Sequence, residues 1–64
     1  MSIKELRKKT GLSQSQFAKK FHMSVRTLQH WEQEDYPTPT FVLFMVEYIL
    51  DLEERLNVNV KHSD

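Results

Sequence analysis

The chain has 64 residues, enough for one small domain, with 39% apolar residues, 28% charged residues and a formal net charge of zero, which indicates a folded domain rather than a disordered segment. It has no cysteine, one glycine and three scattered histidines, so we expect no disulfide, no phosphate-binding glycine loop, no metal site and no cofactor. No apolar run approaches the ~18 residues of a membrane span and the first residues lack the apolar core of a secretory signal, so we expect a cytoplasmic protein without a membrane partner.

The first two predicted helices are short, and each begins with a capping signal. Ser2 followed by Glu5, and Ser13 followed by Gln16, have the spacing of capping boxes, in which two side chains satisfy free backbone amides. Gly11 suits the left-handed position that ends a helix, so the first helix is expected to stop there.

A third predicted helix, residues 24–33, follows after only a two-residue joint, with Ser24 as its N-cap. Two helices joined so tightly must cross steeply, and apolar side chains must fill the inside of the elbow. The candidates for that interior are Phe17, Phe21, Met23, Leu28 and Trp31, with the small Ala18 at the closest approach. The outward face of the third helix would then carry Arg26, Thr27, Gln29, His30 and Gln33, with Val25 at its edge.

The fourth predicted helix is the longest and runs from about residue 39 to residue 56, with Thr38 as cap and Pro39 in the first helical position. Its first half is apolar around the whole circumference, which exceeds what a small core can cover. We expect the core-facing stripe to be Val42, Met45, Val46 and Ile49. The surplus face, a candidate homodimer interface, is Phe41, Phe44, Tyr48 and Leu52. The alternative is that this helix merely covers the core.

These elements predict an all-α bundle of about four helices with a long fourth helix, occupying residues 1–57. Residues 58–64 are expected to form a flexible tail, with a short strand as the less favoured alternative.

The zero net charge conceals two opposite halves. Residues 1–30 carry seven basic residues against one acidic residue, a balance of +6, and residues 31–64 carry two basic residues against eight acidic ones, a balance of −6. A basic half favours binding to a polyanion such as DNA, and the acidic half must then point away from it. The alternative reading is that both are simply solvated surfaces.

Residues 12–32, LSQSQFAKKFHMSVRTLQHWE, resemble the helix-turn-helix of the phage repressor/Cro family, also called the xenobiotic-response-element family. The family opens the motif with Leu-Ser-Gln, has an alanine at the position of Ala18 and closes the recognition helix with Trp-Glu. The resemblance covers about residues 2–56 and implies a lambda-repressor-like fold. One residue departs from the pattern: His22 stands where the family has a turn glycine, a position that often needs a positive φ.

The resemblance also implies roles for individual residues, because the second helix of such a motif enters the major groove. The residues implied to contact bases are Val25, Arg26, Thr27, Gln29 and His30. The residues implied to contact phosphates are Gln14, Ser24, Lys19 and Lys20. Arg26 is the strongest candidate for a specific contact, since a guanidinium can bind guanine with two hydrogen bonds.

Three functional classes follow, in decreasing order of support. The first is a sequence-specific regulator of transcription, a dimeric repressor that binds an inverted repeat in double-stranded DNA. The second is a protein-interaction module or antitoxin-type partner protein that uses the apolar, acidic fourth helix. An enzyme is least favoured, because the chain shows no paired acid and base and no activated nucleophile.

Overall fold

The chain forms four α-helices in a computed structural model that describes the backbone of residues 1–63 and the side chains of residues 1–57. The helices are α1 (Ile3–Thr10), α2 (Gln14–Lys20), α3 (Val25–Glu32) and α4 (Thr40–Ser63). The described residues contain no strand, so the predicted all-α fold with a long fourth helix is confirmed. The fourth helix was predicted to end near residue 56, but its described backbone continues to Ser63, so the alternative of a short strand in the tail was wrong. The side chains of residues 58–64 lie outside the described part of the chain, and the flexibility of this tail stays a prediction.

The starts of α1 and α2 are fixed by the side chains that the sequence indicated. The Ser2 hydroxyl accepts a hydrogen bond from the Glu5 amide (3.1 Å), and the Glu5 carboxylate accepts one from the Ser2 amide (3.0 Å). Ser13 and Gln16 form the same reciprocal pair at 3.1 and 3.0 Å. Each box satisfies two amides that a helix start leaves free, so both helices begin where local chemistry alone would start them.

The joint between α2 and α3 is a left-handed turn at His22, which has a φ of 57°. The Met23 amide donates to the Ala18 carbonyl (2.9 Å), and the His22 amide donates to the Lys19 carbonyl (3.2 Å). This pair of bonds is the Schellman motif, which normally places glycine at the left-handed residue. The expectation of a positive φ at this position is therefore confirmed, and a histidine adopts it here.

The core lies almost entirely among the first three helices. Its buried side chains are Ile3, Leu6, Phe17, Ala18, Leu28 and Val46. Phe21, Met23 and Trp31, which the sequence placed inside the elbow, are only partly buried and pack against this cluster from its edge. The elbow is therefore filled chiefly by Phe17 and Leu28.

Helix α4 packs differently from the prediction at two points. It begins at Thr40, and the Pro39 carbonyl accepts hydrogen bonds from the Val42 and Leu43 amides (3.0 and 3.4 Å). Pro39 therefore precedes the first helical residue instead of occupying it. Of the predicted core stripe, Val46 is buried and Val42 and Ile49 are partly buried, whereas the assignment of Met45 was wrong, since it is 56% exposed.

The surplus face of α4 is exposed as predicted. The exposed fractions are 65% for Phe41, 68% for Phe44, 66% for Tyr48 and 40% for Leu52. Within the described part of the chain, no helix combines the length and the apolar character that crossing a membrane requires.

Candidate nucleic-acid interface

Helix α3 presents most of the predicted base-contacting side chains on one surface. Val25, Arg26 and Gln29 are exposed, and His30 is partly exposed. Positions 25, 26, 29 and 30 lie on one face by helical periodicity, whereas Thr27 lies at its margin and is partly buried. The structure thus brings four of the five residues together and sets Thr27 at the edge.

At the beginning of α3, Ser24 caps the helix and Arg26 carries a guanidinium without a partner among the described side chains. The Ser24 hydroxyl accepts a hydrogen bond from the Arg26 amide (3.1 Å), and its own proton remains available for donation. The guanidinium of Arg26 makes no hydrogen bond or ion pair with any other side chain that the structure describes. An arginine held in this way can contact an external acceptor without first breaking an internal bond.

An arginine–carboxylate pair joins α1 to the last residue of α3. Arg7 Nε lies 2.6 Å from Glu32 Oε2, and Arg7 Nη2 lies 3.0 Å from Glu32 Oε1. Arg7 Nη1 also donates to the Leu12 carbonyl (3.1 Å). The side chains are only 16% and 4% exposed, so this is a two-point, largely desolvated ion pair.

The ionisation of the pair reflects that geometry. Burial raises the pKa of Glu32, but the hydrogen bonds from Arg7 and Gln14, together with the positive charges of Arg7 and Lys4, hold this pKa below its ordinary value. The hydrogen bond to Glu32 raises the pKa of Arg7. Both groups are therefore charged at neutral pH, and Arg7 neutralises the one carboxylate of α3.

The side-chain network continues from Glu32 to the two predicted DNA-contacting glutamines. Gln14 Nε2 donates to Glu32 Oε1 (3.1 Å), and Gln29 Nε2 donates to Gln14 Oε1 (3.3 Å). Gln14 is thereby held between its own helix and α3, with one amide proton left for a further acceptor. A residue implied to contact phosphate is thus linked directly to one implied to contact bases.

The two predicted phosphate-contacting lysines differ in their surroundings. Lys20 Nζ lies 2.7 Å from Glu53 on α4 and 5.9 Å from the centre of the Phe21 ring. Lys19 is exposed and has no ion-pair partner among the described side chains. A phosphate contact by Lys20 would require this partly exposed ion pair to open, so Lys19 is the more available of the two.

At the far end of α3, His30 is engaged by the loop that follows. His30 Nδ1 lies 3.1 Å from Asp35 Oδ2, and the Tyr36 ring meets the imidazole at a centroid distance of 5.3 Å and an angle of 66°. Sequence reasoning did not assign a role to Asp35 or Tyr36. Among the described residues, no three His, Asp or Glu side chains cluster as metal ligands would.

This arrangement defines a helix-turn-helix protein with a polar, partly basic recognition helix. The family model described as helix-turn-helix matches residues 3–61. No curated protein and no solved structure matches the chain. The chain belongs to the helix-turn-helix family of the phage repressor/Cro type and is a DNA-binding regulator of transcription.

Proposed function

We propose that the protein is a homodimeric, cytoplasmic repressor that places α3 in the major groove at each half of an inverted repeat. The observation that carries this proposal is the free guanidinium of Arg26 on an exposed helix face whose other members are polar or small. Such a face matches the donor and acceptor pattern of base edges. An all-α domain of this type reads DNA through the first turns of its second motif helix.

The proposed contacts divide into two sets. Arg26 binds a guanine through two hydrogen bonds, Val25 packs against a thymine methyl group, and Thr27, Gln29 and His30 complete the base contacts. The phosphate contacts are Gln14, Ser24, Lys19 and Lys20. Gln14 fits this role because its amide is fixed by Glu32 and Gln29 before DNA arrives, which lowers the entropy lost on binding.

Charge supports the same orientation. The +6 half contains all of α1 and α2 and most of α3, and the −6 half contains all of α4. With α3 against the duplex, the acidic helix α4 should face away from the phosphates, except at Glu53, which lies 2.7 Å from the proposed phosphate contact Lys20. The Arg7–Glu32 pair removes the one acidic charge that the recognition helix itself carries.

The proposed dimer uses the surplus face of α4, namely Phe41, Phe44, Tyr48 and Leu52. These side chains are large, apolar and exposed at intervals of three and four residues, so they form one stripe along the helix. A second copy supplies an identical stripe, and two-fold symmetry lets the same residues serve both sides of the contact. The resulting dimer would set two recognition helices about one duplex turn, ~34 Å, apart.

DNA binding is tested by titrating random-sequence and selected duplexes with the protein at several salt concentrations. We expect affinity to fall steeply with salt, and we expect Arg26→Ala to reduce the preference for selected sequences by roughly tenfold or more. Arg55→Ala is the matched control, since Arg55 lies on α4 and pairs with Asp51 at 3.1 Å. Equal losses in the two variants would contradict base reading by Arg26.

Dimerisation is tested by sedimentation of the wild-type protein and of Phe44→Glu across a range of concentrations. The wild type should show a mass that doubles with concentration, and Phe44→Glu should remain monomeric because a charge on the stripe must be desolvated. Ser15→Glu adds the same charge at an exposed site on α2 and should dimerise normally. A wild-type mass that stays monomeric at all concentrations contradicts this part of the proposal.

The alternative function is a protein-interaction module or antitoxin-type partner that docks through α4. The observation that favours it is the row of carboxylates, Glu47, Asp51 and Glu54, exposed on the helix that carries the apolar stripe. Such a surface would suit a basic partner better than a second acidic copy. A module of this kind would show a shallow salt dependence toward DNA and no response to Arg26→Ala.

A further inference from the structure

The turn that ends α3 has the same backbone form as the turn that ends α2. Glu34 is left-handed with a φ of 65°, the Asp35 amide donates to the His30 carbonyl (3.0 Å), and the Glu34 amide donates to the Trp31 carbonyl (3.2 Å). In this motif the first and last residues are brought face to face, and they usually touch through apolar side chains. In α3 those two positions are His30 and Asp35, and a polar contact replaces the apolar one.

We propose that Asp35 is a positioning residue that fixes the tautomer of His30 and thereby sets which bases His30 can read. This inference rests on the proposed function, since it requires that α3 lies in the major groove. The geometry that supports it is the 3.1 Å contact between His30 Nδ1 and Asp35 Oδ2, in a turn closed by two backbone hydrogen bonds of 3.0 and 3.2 Å.

The tautomer follows from the chemistry of the two groups. An ionised carboxylate can only accept hydrogen bonds, so the nitrogen facing Asp35 must carry a proton. In a neutral imidazole the other nitrogen, Nε2, then has a lone pair and accepts. His30 thus presents a hydrogen-bond acceptor to its surroundings, whereas an unheld neutral imidazole can present either a donor or an acceptor.

The base preference follows from the tautomer. In the major groove the hydrogen-bond donors are the amino groups of adenine and cytosine, while guanine offers acceptors and thymine an acceptor and a methyl group. An accepting Nε2 therefore selects adenine or cytosine at the base that it meets. Without Asp35, His30 could donate to guanine or thymine as well, and the preference would relax.

Two further features keep the imidazole in place while leaving it accessible. The Tyr36 ring packs edge-on against it and restricts its rotation. The side chains of His30 and Asp35 are still 40% and 50% exposed, so the contact is open to an approaching base. The other charged groups near the ring in sequence are Arg26, one helical turn earlier, and Glu34 in the turn itself.

The tautomer is tested on the free protein by nitrogen NMR of the histidine rings at pH 8.5, where imidazole is ordinarily neutral. The wild type should show His30 protonated at Nδ1, and Asp35→Ala should shift the signals toward a mixture of both forms. Asp35→Asn can turn either an accepting oxygen or a donating NH2 group toward Nδ1, so it should also show a mixture of both forms. Glu34→Gly removes the neighbouring charge, suits the left-handed backbone and should change nothing. A wild-type ring protonated at Nε2 overturns the inference.

Base reading is tested at the same pH by selecting bound duplexes from a random pool with the wild type, Asp35→Ala and Glu34→Gly. At one position in each half-site we expect the wild type to favour adenine or cytosine, and Asp35→Ala to weaken that preference about fivefold, as the loss of one hydrogen bond predicts. The remaining positions of the repeat should be unchanged. If the wild type and Asp35→Ala enrich the same bases at every position, the positioning role of Asp35 is overturned although the proposed function stands. If the wild type enriches no sequence, the proposed function fails and the base reading fails with it.

Discussion

The first three helices and the fourth helix use their apolar residues in opposite ways. Helices α1 to α3 are short, yet they and their joints supply five of the six buried core residues. Helix α4 is 24 residues long, yet among its described side chains it supplies only Val46, while the four large apolar side chains of its predicted surplus face stay exposed. The difference shows that apolar content and contribution to a core are separate properties of a helix.

The two regions also differ in how their polar groups are arranged. The joints of α1 to α3 are held by capping boxes, left-handed turns and the Arg7–Glu32 pair, which together fix the position of the recognition helix. On α4 the described ion pairs are exposed or half-exposed, such as Arg55 with Asp51. The polar contacts of α1 to α3 therefore fix the position of α3, whereas the described polar groups of α4 leave its exposed face free to contact a partner.

The contrast between the buried apolar residues of α1 to α3 and the exposed ones of α4 is tested most directly by making the same substitution in both regions. Phe17→Ala removes a fully buried ring and should lower the free energy of unfolding by about 4 kcal/mol. Phe44→Ala removes a ring that is 68% exposed and should leave the stability of the monomer within about 0.5 kcal/mol of the wild type. Urea unfolding at low protein concentration measures both.

Raising the protein concentration sharpens the same experiment. If α4 forms the dimer, the wild type and Phe17→Ala gain stability as concentration rises, whereas Phe44→Ala gains less. Comparable losses in the two variants at low concentration would mean that Phe44 packs in the monomer and that the contrast is false.

The Arg7–Glu32 pair provides a prediction with a pH signature. Glu32→Gln should cost about 3 kcal/mol at pH 7, because it leaves a largely buried guanidinium without its counter-charge. The pKa of Glu32 is lower in the folded protein than in the unfolded chain, so the carboxylate stabilises the fold above about pH 4.3 and this stabilisation is lost as pH falls through the lower, folded value.

Unfolding curves of the wild type and Glu32→Gln at pH 7 and pH 3 check the sign. The difference in stability between the two proteins should shrink on acidification. The pKa of Glu5 is also lowered, by its hydrogen bonds to Ser2, but that contribution is present in both proteins and cancels in the comparison. A difference that stays constant with pH would show that Glu32 contributes through packing alone.

The smallest of these effects concerns the turn at His22. His22→Val places a β-branched residue at a φ of 57° and should destabilise the protein by about 1–2 kcal/mol. His22→Asn should stay close to the wild type, because asparagine tolerates the left-handed conformation. Thermal unfolding of the pair is sufficient, and equal midpoints would mean that the turn relaxes to accept the bulkier residue.

The sequence could predict those features that depend on residues close together in the chain. The Ser2–Glu5 and Ser13–Gln16 boxes lie within three residues, so composition and spacing reveal them directly. The exposed stripe on α4 was predictable because its first half has more apolar residues than one face can bury. The positive φ at His22 followed from the resemblance, and the structure confirmed it.

What the sequence could not predict depends on distance along the chain or on rotation about a helix axis. Arg7 and Glu32 are 25 residues apart, and nothing local marks either as the partner of the other. Met45 and Val46 are adjacent and both apolar, so a rotation of the helix by one residue decides which is buried. The bond between His30 and Asp35 needs the left-handed turn at Glu34, and a glutamate does not indicate a left-handed backbone.

Three outward residues of α3 take no part in the bonds around the Arg7–Glu32 pair, and this has a practical consequence for redesign. Among the described contacts, Val25, Arg26 and His30 make no bond to Arg7 or Glu32, so the residues at positions 25, 26 and 30 can be replaced while the pair that anchors the helix is kept. Position 29 is less free, because its amide belongs to the chain of bonds that reaches Glu32. If α3 reads bases as we propose, a library that randomises positions 25, 26 and 30 and keeps Gln29 would yield variants with new operator preferences on the same fold.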